Sequence, residues 1–217
     1  MTAAFRLTLV LAGLFAAVVR ADEADPPAAP AQRIAPDDPA WGKLAAGLRQ
    51  STSVTANFTE LRWFSFKKAP TALQGEVRVS AEHGLSLRYL APEEQTVIID
   101  ERGMVLRSAS GDSIAPADPR SGAANSALLH GLRLDFVPLA QVCELYGRRA
   151  GLAWTLALVP RGADLRRTLG RITVEGQGGA VRRIELWRSA TQRVEISVQP
   201  PRSTAAFTPE ELRRYFR

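Results

Sequence analysis

Residues 73–106 read LQGEVRVSAEHGLSLRYLAPEEQTVIIDERGMVL, and this stretch decides the fold. Leu73, Gly75, Val77 and Val79 alternate with Gln74, Glu76, Arg78 and Ser80, the period of two that gives a strand one apolar and one polar face. His83-Gly84 is a turn signal, since Gly84 can take a positive φ. Leu85–Leu90 is a second strand with Leu85, Leu87 and Tyr89 on one side, ended by Pro92, which cannot donate to a ladder. Gln95–Asp100 is a β-branched third strand, and Glu101-Arg102-Gly103 turns it into a fourth at Met104–Arg107. Consecutive hairpins make a meander whose apolar face must be covered or must bind something.

Upstream, Ser53–Phe66 is a long strand: Val54, Ala56, Phe58 and Glu60 alternate with Thr55, Asn57, Thr59 and Leu61. Its aromatic end, Trp63, Phe64 and Phe66, reads equally well as core or as the wall of a ligand pocket. Asp38-Pro39 is an N-cap with proline at the first helical position, and Trp41, Leu44, Ala45 and Leu48 recur at helical spacing as far as about Gln50. Downstream, Ala123–Leu129 and Val137–Tyr146 read as short helices, and Gly151–Pro160 as a strand apolar on both faces. Asp164–Leu169 is a helical turn, and Arg171–Glu175, Ala180–Arg188 and Thr191–Gln199 form a second meander. Thr208 caps a terminal helix opening at Pro209.

The chain begins with an address. Arg6 precedes Leu7–Val19, an apolar run of about thirteen residues, within the length of a secretory h-region and shorter than the roughly 20 of a bilayer span. Val19-Arg20-Ala21 offers small residues at the cleavage positions, and no lipidation cysteine follows. The expected organisation is a signal peptide over residues 1–21, a Pro/Ala-rich flexible leader over 22–38, and a single domain over 39–217. The mature chain is then periplasmic, and a monomer.

Composition narrows the function classes. Hydrophobic residues at 46% are enough for a core without disulfides, and Cys143 is the only cysteine. The formal charge of +6 falls to +4 once Arg6 and Arg20 are removed. Lys43, Lys67 and Lys68 are the only lysines, and the arginines alternate with apolar residues instead of clustering with aromatics, so nucleic acid is not an expected partner. His83 and His130 are the only bases available to a Cys143 nucleophile, and no nucleophile motif, zinc spacing or phosphate loop accompanies them. No catalytic residue, metal or cofactor is implied.

The ordered set Val54-x-Ala56-x-Phe58-x-Glu60, Leu73-x-Gly75-x-Val77, Leu85-x-Leu87-x-Tyr89-x-x-Pro92 and Ile98-Ile99-Asp100-x-x-Gly103-x-x-Leu106, behind a helix and a signal peptide, resembles the periplasmic outer-membrane lipoprotein carrier (LolA-like) family. The resemblance covers Trp41–Leu106 by motif and the remainder by element order. It implies an α+β fold, an incomplete and strongly curved antiparallel barrel with helices covering its concave face. It also implies that lipoprotein acyl chains, or another lipid, are bound and carried between an inner-membrane donor and an outer-membrane acceptor. The family carries an Arg-Pro pair before its third strand, whose arginine helps hold a lid closed. Here that segment is Ser80-Ala81-Glu82-His83-Gly84, so the lid is expected to rest on apolar contact alone.

About ten strands in antiparallel order argue independently for such a half-barrel. Strand parity places Phe58, Val77, Leu87, Tyr89, Ile98, Leu106, Leu156, Ile184, Leu186 and Ile196 on one concave apolar surface, the expected lipid cavity, with no polar constellation on the inward faces. Leu128, Leu129 and Leu132 are the expected movable lid. Two other classes compete: a periplasmic lipid-sensing adaptor that binds a protein partner, and a lipid-processing hydrolase. The first usually brings a second domain, for which the chain has no room; the second needs a nucleophile within reach of a base.

Overall fold

A computed structural model describes residues 32–49, 53–91, 94–108, 111–114, 126–131 and 133–217. Twelve strands among them form one sheet: β1 (Gln32–Arg33), β2 (Ser53–Trp63), β3 (Thr71–Ser80), β4 (Gly84–Ala91), β5 (Gln95–Asp100), β6 (Gly103–Ser108), β7 (Gly111–Ile114), β8 (Cys143–Ala150), β9 (Ala153–Pro160), β10 (Arg171–Gln177), β11 (Ala180–Ser189) and β12 (Gln192–Val198). The sheet order is β1-β8-β9-β10-β11-β12-β2-β3-β4-β5-β6-β7, antiparallel throughout. Two meanders are thus fused side by side where β12 pairs with β2, with Ile196 opposite Glu60 and Val198 opposite Phe58. The sheet is curved and unclosed, as the α+β half-barrel expectation requires; β1 and β7 remain its two edges.

Four helices with fully described bounds accompany it: α1 (Pro39–Arg49), α2 (Phe136–Val142), α3 (Ala163–Leu169) and α4 (Pro209–Tyr215). Residues 126–131 form a further helical segment. Asp38 caps α1 as its sequence indicates, its Oδ1 accepting from the Ala40 and Trp41 amides at 2.9 and 3.2 Å. The apolar stripe of α1 then lies on the β8–β10 end of the sheet: Trp41 and Ala45 pack in one cluster with Ile34, Leu145, Trp154, Leu156 and Val174. Gly147 makes that docking feasible, since a Cβ there would meet the Trp41 indole. Ile34 and β1 belong to this assembly, so the sheet begins inside the segment expected to be leader. The expected signal peptide lies outside the described residues.

The segment expected to be one helix from Val137 to Tyr146 divides. Helix stops at Val142, and Cys143–Ala150 becomes β8, a full strand against β9. Glu144 and Tyr146 alternate with buried Cys143 and Leu145, a period of two that the apolar residues at helical spacing had masked.

The outer face of β3–β6 is covered as well. Helix α4 starts with a capping box, Thr208 Oγ1 accepting from the Glu211 amide at 3.2 Å while the Glu211 carboxylate accepts from the Thr208 amide at 2.8 Å. The helix lies across the sheet with Tyr215 under the Arg78 guanidinium, 3.5 Å from it. Arg107 donates to the Arg214 carbonyl at 2.7 Å, and Arg217 donates to Asp100 at 2.8 Å and to the Gly103 carbonyl at 3.0 Å. These contacts seal Phe216 almost completely.

Candidate functional site

A cavity of about 270 Å³ lies on the concave face where the two meanders join. Strand parity delivers its walls: Val54, Ala56 and Phe58 from β2, Val77 and Val79 from β3, Leu85, Leu87 and Tyr89 from β4, then Ile184, Leu186, Val194, Ile196 and Val198 from the other meander. Of the ten residues expected to share this surface, Phe58, Val77, Leu87, Tyr89, Ile184, Leu186 and Ile196 line the cavity. Gly75 shapes the wall between them. It sits opposite Phe58 in β2 and Tyr89 in β4, and an added Cβ would come within 2.7 Å of the Phe58 ring. Its absence lets that ring lie over the strand, edge-to-face with Tyr89 at 5.4 Å.

The other three do not line it. Leu156 faces inward but is buried in the cluster beneath α1, beyond the cavity. Leu106 faces inward opposite Val97 and packs against the β2–β6 cluster. Ile98 is a parity error. It pairs with Ser86 and Val105, and Ser86 pairs with Arg78, which places it on the outer face under α4. Strand β5 is apolar on both sides because both sides are covered, so alternation could not choose between Ile98 and its neighbours Val97 and Ile99. Val97 and Ile99 are the cavity residues. The aromatics at the end of β2 and just beyond it are neither core nor wall. Trp63 stacks with Arg193 at 4.0 Å, and Phe64 stacks on Phe66 at 5.3 Å at the hairpin tip, where Phe66 is 78% exposed.

The inward faces are not wholly apolar. Glu60 and Arg62 continue the parity of Phe58 into the cavity and meet Tyr89 there. All three are less than 5% exposed. Arg62 Nε donates to Glu60 Oε1, Arg62 Nη2 donates to the Tyr89 hydroxyl at 3.1 Å, and that hydroxyl donates to Glu60 Oε2 at 2.7 Å. Burial, seconded by the Glu60 charge, pushes the Tyr89 phenol far up, so it stays a neutral donor. Burial opposes the Arg62 charge, but the Glu60 and Tyr89 contacts outweigh it and keep the guanidinium ionised. The signal for this cluster was in the β2 alternation, which puts Glu60 and Arg62 in phase with Phe58.

The opposite end of the cavity lies under the helical segment 126–131. Ala127 and half-buried Leu128 pack with the α1 cluster, whereas Leu129, 5% exposed, packs with the β2–β6 cluster, so the segment bridges both halves of the core. Ala127, Leu128 and Gly131 line the cavity; Leu132 lies outside the described residues. The segment ends in a Schellman-type cap, with the Asp135 amide on the His130 carbonyl at 2.9 Å and the Leu134 amide on the Gly131 carbonyl at 3.2 Å. Leu134 occupies the position where glycine is usual, at φ 49°. Apolar contact is not all that holds this end. Arg133 donates to the Ala81 carbonyl at 3.1 Å and to Glu101 at 3.2 Å, reaching the β3–β4 and β5–β6 turns. Arg49 of α1 donates to Asp135 at 3.1 Å, and Asp135 also contacts His130 at 3.4 Å. The expectation that apolar contact alone holds this end is therefore corrected: Arg133 and Asp135, just past the segment, tie it to the β3–β4 and β5–β6 turns and to α1.

Cys143 is buried in the α1 cluster, and that burial pushes its thiol up to about 11, away from the thiolate a nucleophile needs. Among the described residues, no group of three or more His, Cys, Asp or Glu could hold a metal, and no helix is long and apolar enough to cross a membrane.

Solved structures similar to this chain include the following two. A LolA superfamily protein from Nitrosomonas europaea is 6% identical over 79% of this chain and 96% of its own, with a TM-score of 0.40. A domain from Vibrio parahaemolyticus, described as outer membrane lipoprotein-sorting, is 8% identical over 79% and 95%, with a TM-score of 0.42. No curated protein matches the sequence. Residues 35–208, from the start of α1's cluster to the cap of α4, match the family described as outer membrane lipoprotein carrier protein LolA-like, and with the apolar cavity inside its unclosed sheet the chain belongs to that family.

Proposed function

We propose that this protein is a periplasmic, non-catalytic carrier that holds an acyl chain of a lipoprotein or other lipid in the cavity and shuttles it from an inner-membrane donor toward an outer-membrane acceptor. The observation that carries this reading is the cavity itself, about 270 Å³, walled by both meanders and roofed by the segment 126–131. Its volume is close to the ~300 Å³ lower bound of ligand pockets, so a larger lipid needs the roof to move. Leu128 and Leu129 are the described part of that lid, with Leu132 as its proposed third member. An acyl chain entering the cavity replaces the contacts of these leucines, each methylene contributing about 0.8 kcal/mol, so uptake and release are nearly balanced. A carrier needs that balance, because cargo held too tightly is never handed on. The signal peptide over residues 1–21, cleaved near Ala21, and a monomeric mature chain complete the proposal.

The test is native mass spectrometry of the purified protein, followed by titration of the delipidated chain with a fluorescent fatty-acid probe. Co-purifying lipid and saturable probe binding are expected. Leu128→Glu should hold the lid open and change the affinity or rate of probe binding. Identical binding by wild type and variant would refute the lid; no binding by either would refute the carrier reading.

A further inference from the structure

Among the described residues lining the cavity, Glu60 and Arg62 are the only charged ones, and they are 1% and 4% exposed. They neutralise one another, and Tyr89 bridges them as a neutral hydroxyl. An arginine carries five N–H donors. Arg62 uses Nε on Glu60 and Nη2 on Tyr89, and its Nη1 makes no hydrogen bond to any described residue. The cluster lies toward the end of β2 and β4 away from the β3–β4 turn that Arg133 contacts: Glu60 is seven residues along β2 from Ser53, which pairs with Ser80 beside that turn, about 23 Å of strand. The cavity is therefore an apolar channel, roofed at one end and carrying a charge-balanced hydrogen-bond donor at the other.

We propose that Glu60, Arg62 and Tyr89 form a neutral polar socket that selects acyl chains bearing an uncharged carbonyl, as in an ester or amide, over free fatty-acid carboxylates. The inference rests on the reading of the cavity as an acyl-chain site and adds what it discriminates. The reason is the charge count. A neutral carbonyl oxygen can accept from Arg62 Nη1 and leave the socket at zero net charge. A free carboxylate would bring a second anion beside Glu60 and leave one uncompensated negative charge in a dry, low-dielectric place, which is strongly disfavoured. Two carboxylates sharing one guanidinium also divide its donors. The socket thus rejects the anion by repulsion as well as accepting the carbonyl by hydrogen bonding, and discrimination of this kind needs both.

The experiment is displacement of a neutral apolar fluorophore from the delipidated protein by palmitic acid and by methyl palmitate at pH 8, where the free acid is ionised. In the wild type the ester is expected to displace the fluorophore at least about tenfold more effectively than the acid. Glu60→Gln keeps the shape of the side chain and removes its charge, leaving Arg62 uncompensated. This variant should reverse the order and prefer the acid by a similar factor. The neutral pair Glu60→Gln/Arg62→Met should bring the ratio close to one, set by hydrophobic partition alone. A wild-type ratio near one, or in favour of the acid, would overturn the proposal. So would an ester preference that persists unchanged in Glu60→Gln, because the discrimination would then arise elsewhere. Should Glu60→Gln not fold, the wild-type ratio and the neutral pair decide. If the fluorophore is displaced equally by all lipids in every variant, the socket fails while the carrier reading stands. If neither fluorophore nor lipid binds, the carrier reading itself fails.

Discussion

Arg62→Met tests whether the Glu60–Arg62–Tyr89 cluster is as dry as its burial indicates. The substitution keeps most of the aliphatic stem and removes the guanidinium, leaving the Glu60 carboxylate, 1% exposed, with the Tyr89 hydroxyl at 2.7 Å as its remaining side-chain partner. Removing one partner of a buried ion pair costs about 3–5 kcal/mol, because the other charge stays desolvated. For a protein with a urea m-value of about 2 kcal/mol/M, the midpoint should fall by about 1.5–2.5 M at an unchanged slope. Replacing the whole cluster, Glu60→Leu/Arg62→Met/Tyr89→Phe, removes both charges and the hydroxyl that would otherwise be stranded at a cost of about 1–3 kcal/mol. That variant should recover all of the loss and can exceed the wild type by about 1–4 kcal/mol. Tryptophan fluorescence reads both transitions, since Trp41 and Trp154 are buried in the core cluster. A loss below about 1 kcal/mol for Arg62→Met would show that water reaches Glu60 and that the cluster is not a desolvated pair. Equal losses for the single and triple variants would show that packing, not charge, sets the cost.

Two further outcomes concern the parts around the cavity. Burial alone would raise Asp100, but its hydrogen bonds from Arg217 and Arg102 outweigh that and hold the carboxyl below the usual carboxylate range, so it stabilises the fold above its unfolded pKa of about 3.9 and ceases to as pH falls through its lower folded value. Asp100→Asn should therefore cost up to about 1 kcal/mol at pH 7 and progressively less towards pH 3 in urea titrations; a difference independent of pH would refute the ion-pair account. Leu134→Gly should relieve about 1 kcal/mol of left-handed backbone strain but forfeit a core leucine worth about 2–5 kcal/mol, for a net loss near 2 kcal/mol by chemical denaturation; a gain in stability would show that the Schellman cap, not the side chain, sets the conformation of this segment.

The sheet was legible because alternation survives wherever one face is wet. In β3, Gln74 and Glu76 alternate with Leu73, Gly75 and Val77, and the inner face was read correctly; in β11 and β12 the inward set Ile184, Leu186, Val194 and Ile196 was equally plain. The reading failed where burial is two-sided. Strand β5, between the cavity and α4, offers Val97, Ile98 and Ile99 in a row, and no local signal says that a C-terminal helix more than a hundred residues away covers Ile98. Strand β8 was read as helix because Leu139, Val142, Cys143 and Tyr146 fall at helical spacing across a boundary that only the pairing with β9 enforces. The polar ties of Arg133 were illegible for another reason. Arg133 meets Ala81 across 52 residues of chain, and its target is a backbone carbonyl, which the sequence does not mark.

The proposed socket ties stability to specificity, and one variant separates a built site from a leftover of packing. A buried ion pair is weak evidence of stabilisation, since well-packed apolar residues of the same volume do as well or better. The neighbouring inward positions of the same sheet, Phe58, Val194 and Ile196, show that this fold accommodates such residues at that depth. A chain under selection for stability alone has no reason to place a carboxylate and a guanidinium there. The triple apolar variant therefore makes opposite demands on the two accounts. If the cluster is merely structural, the more stable variant binds esters and acids as the wild type does. If it is the socket, the variant gains stability, keeps its affinity for the neutral fluorophore, and loses its discrimination between ester and acid, the exchange of function for stability expected when a destabilising group is retained for what it recognises.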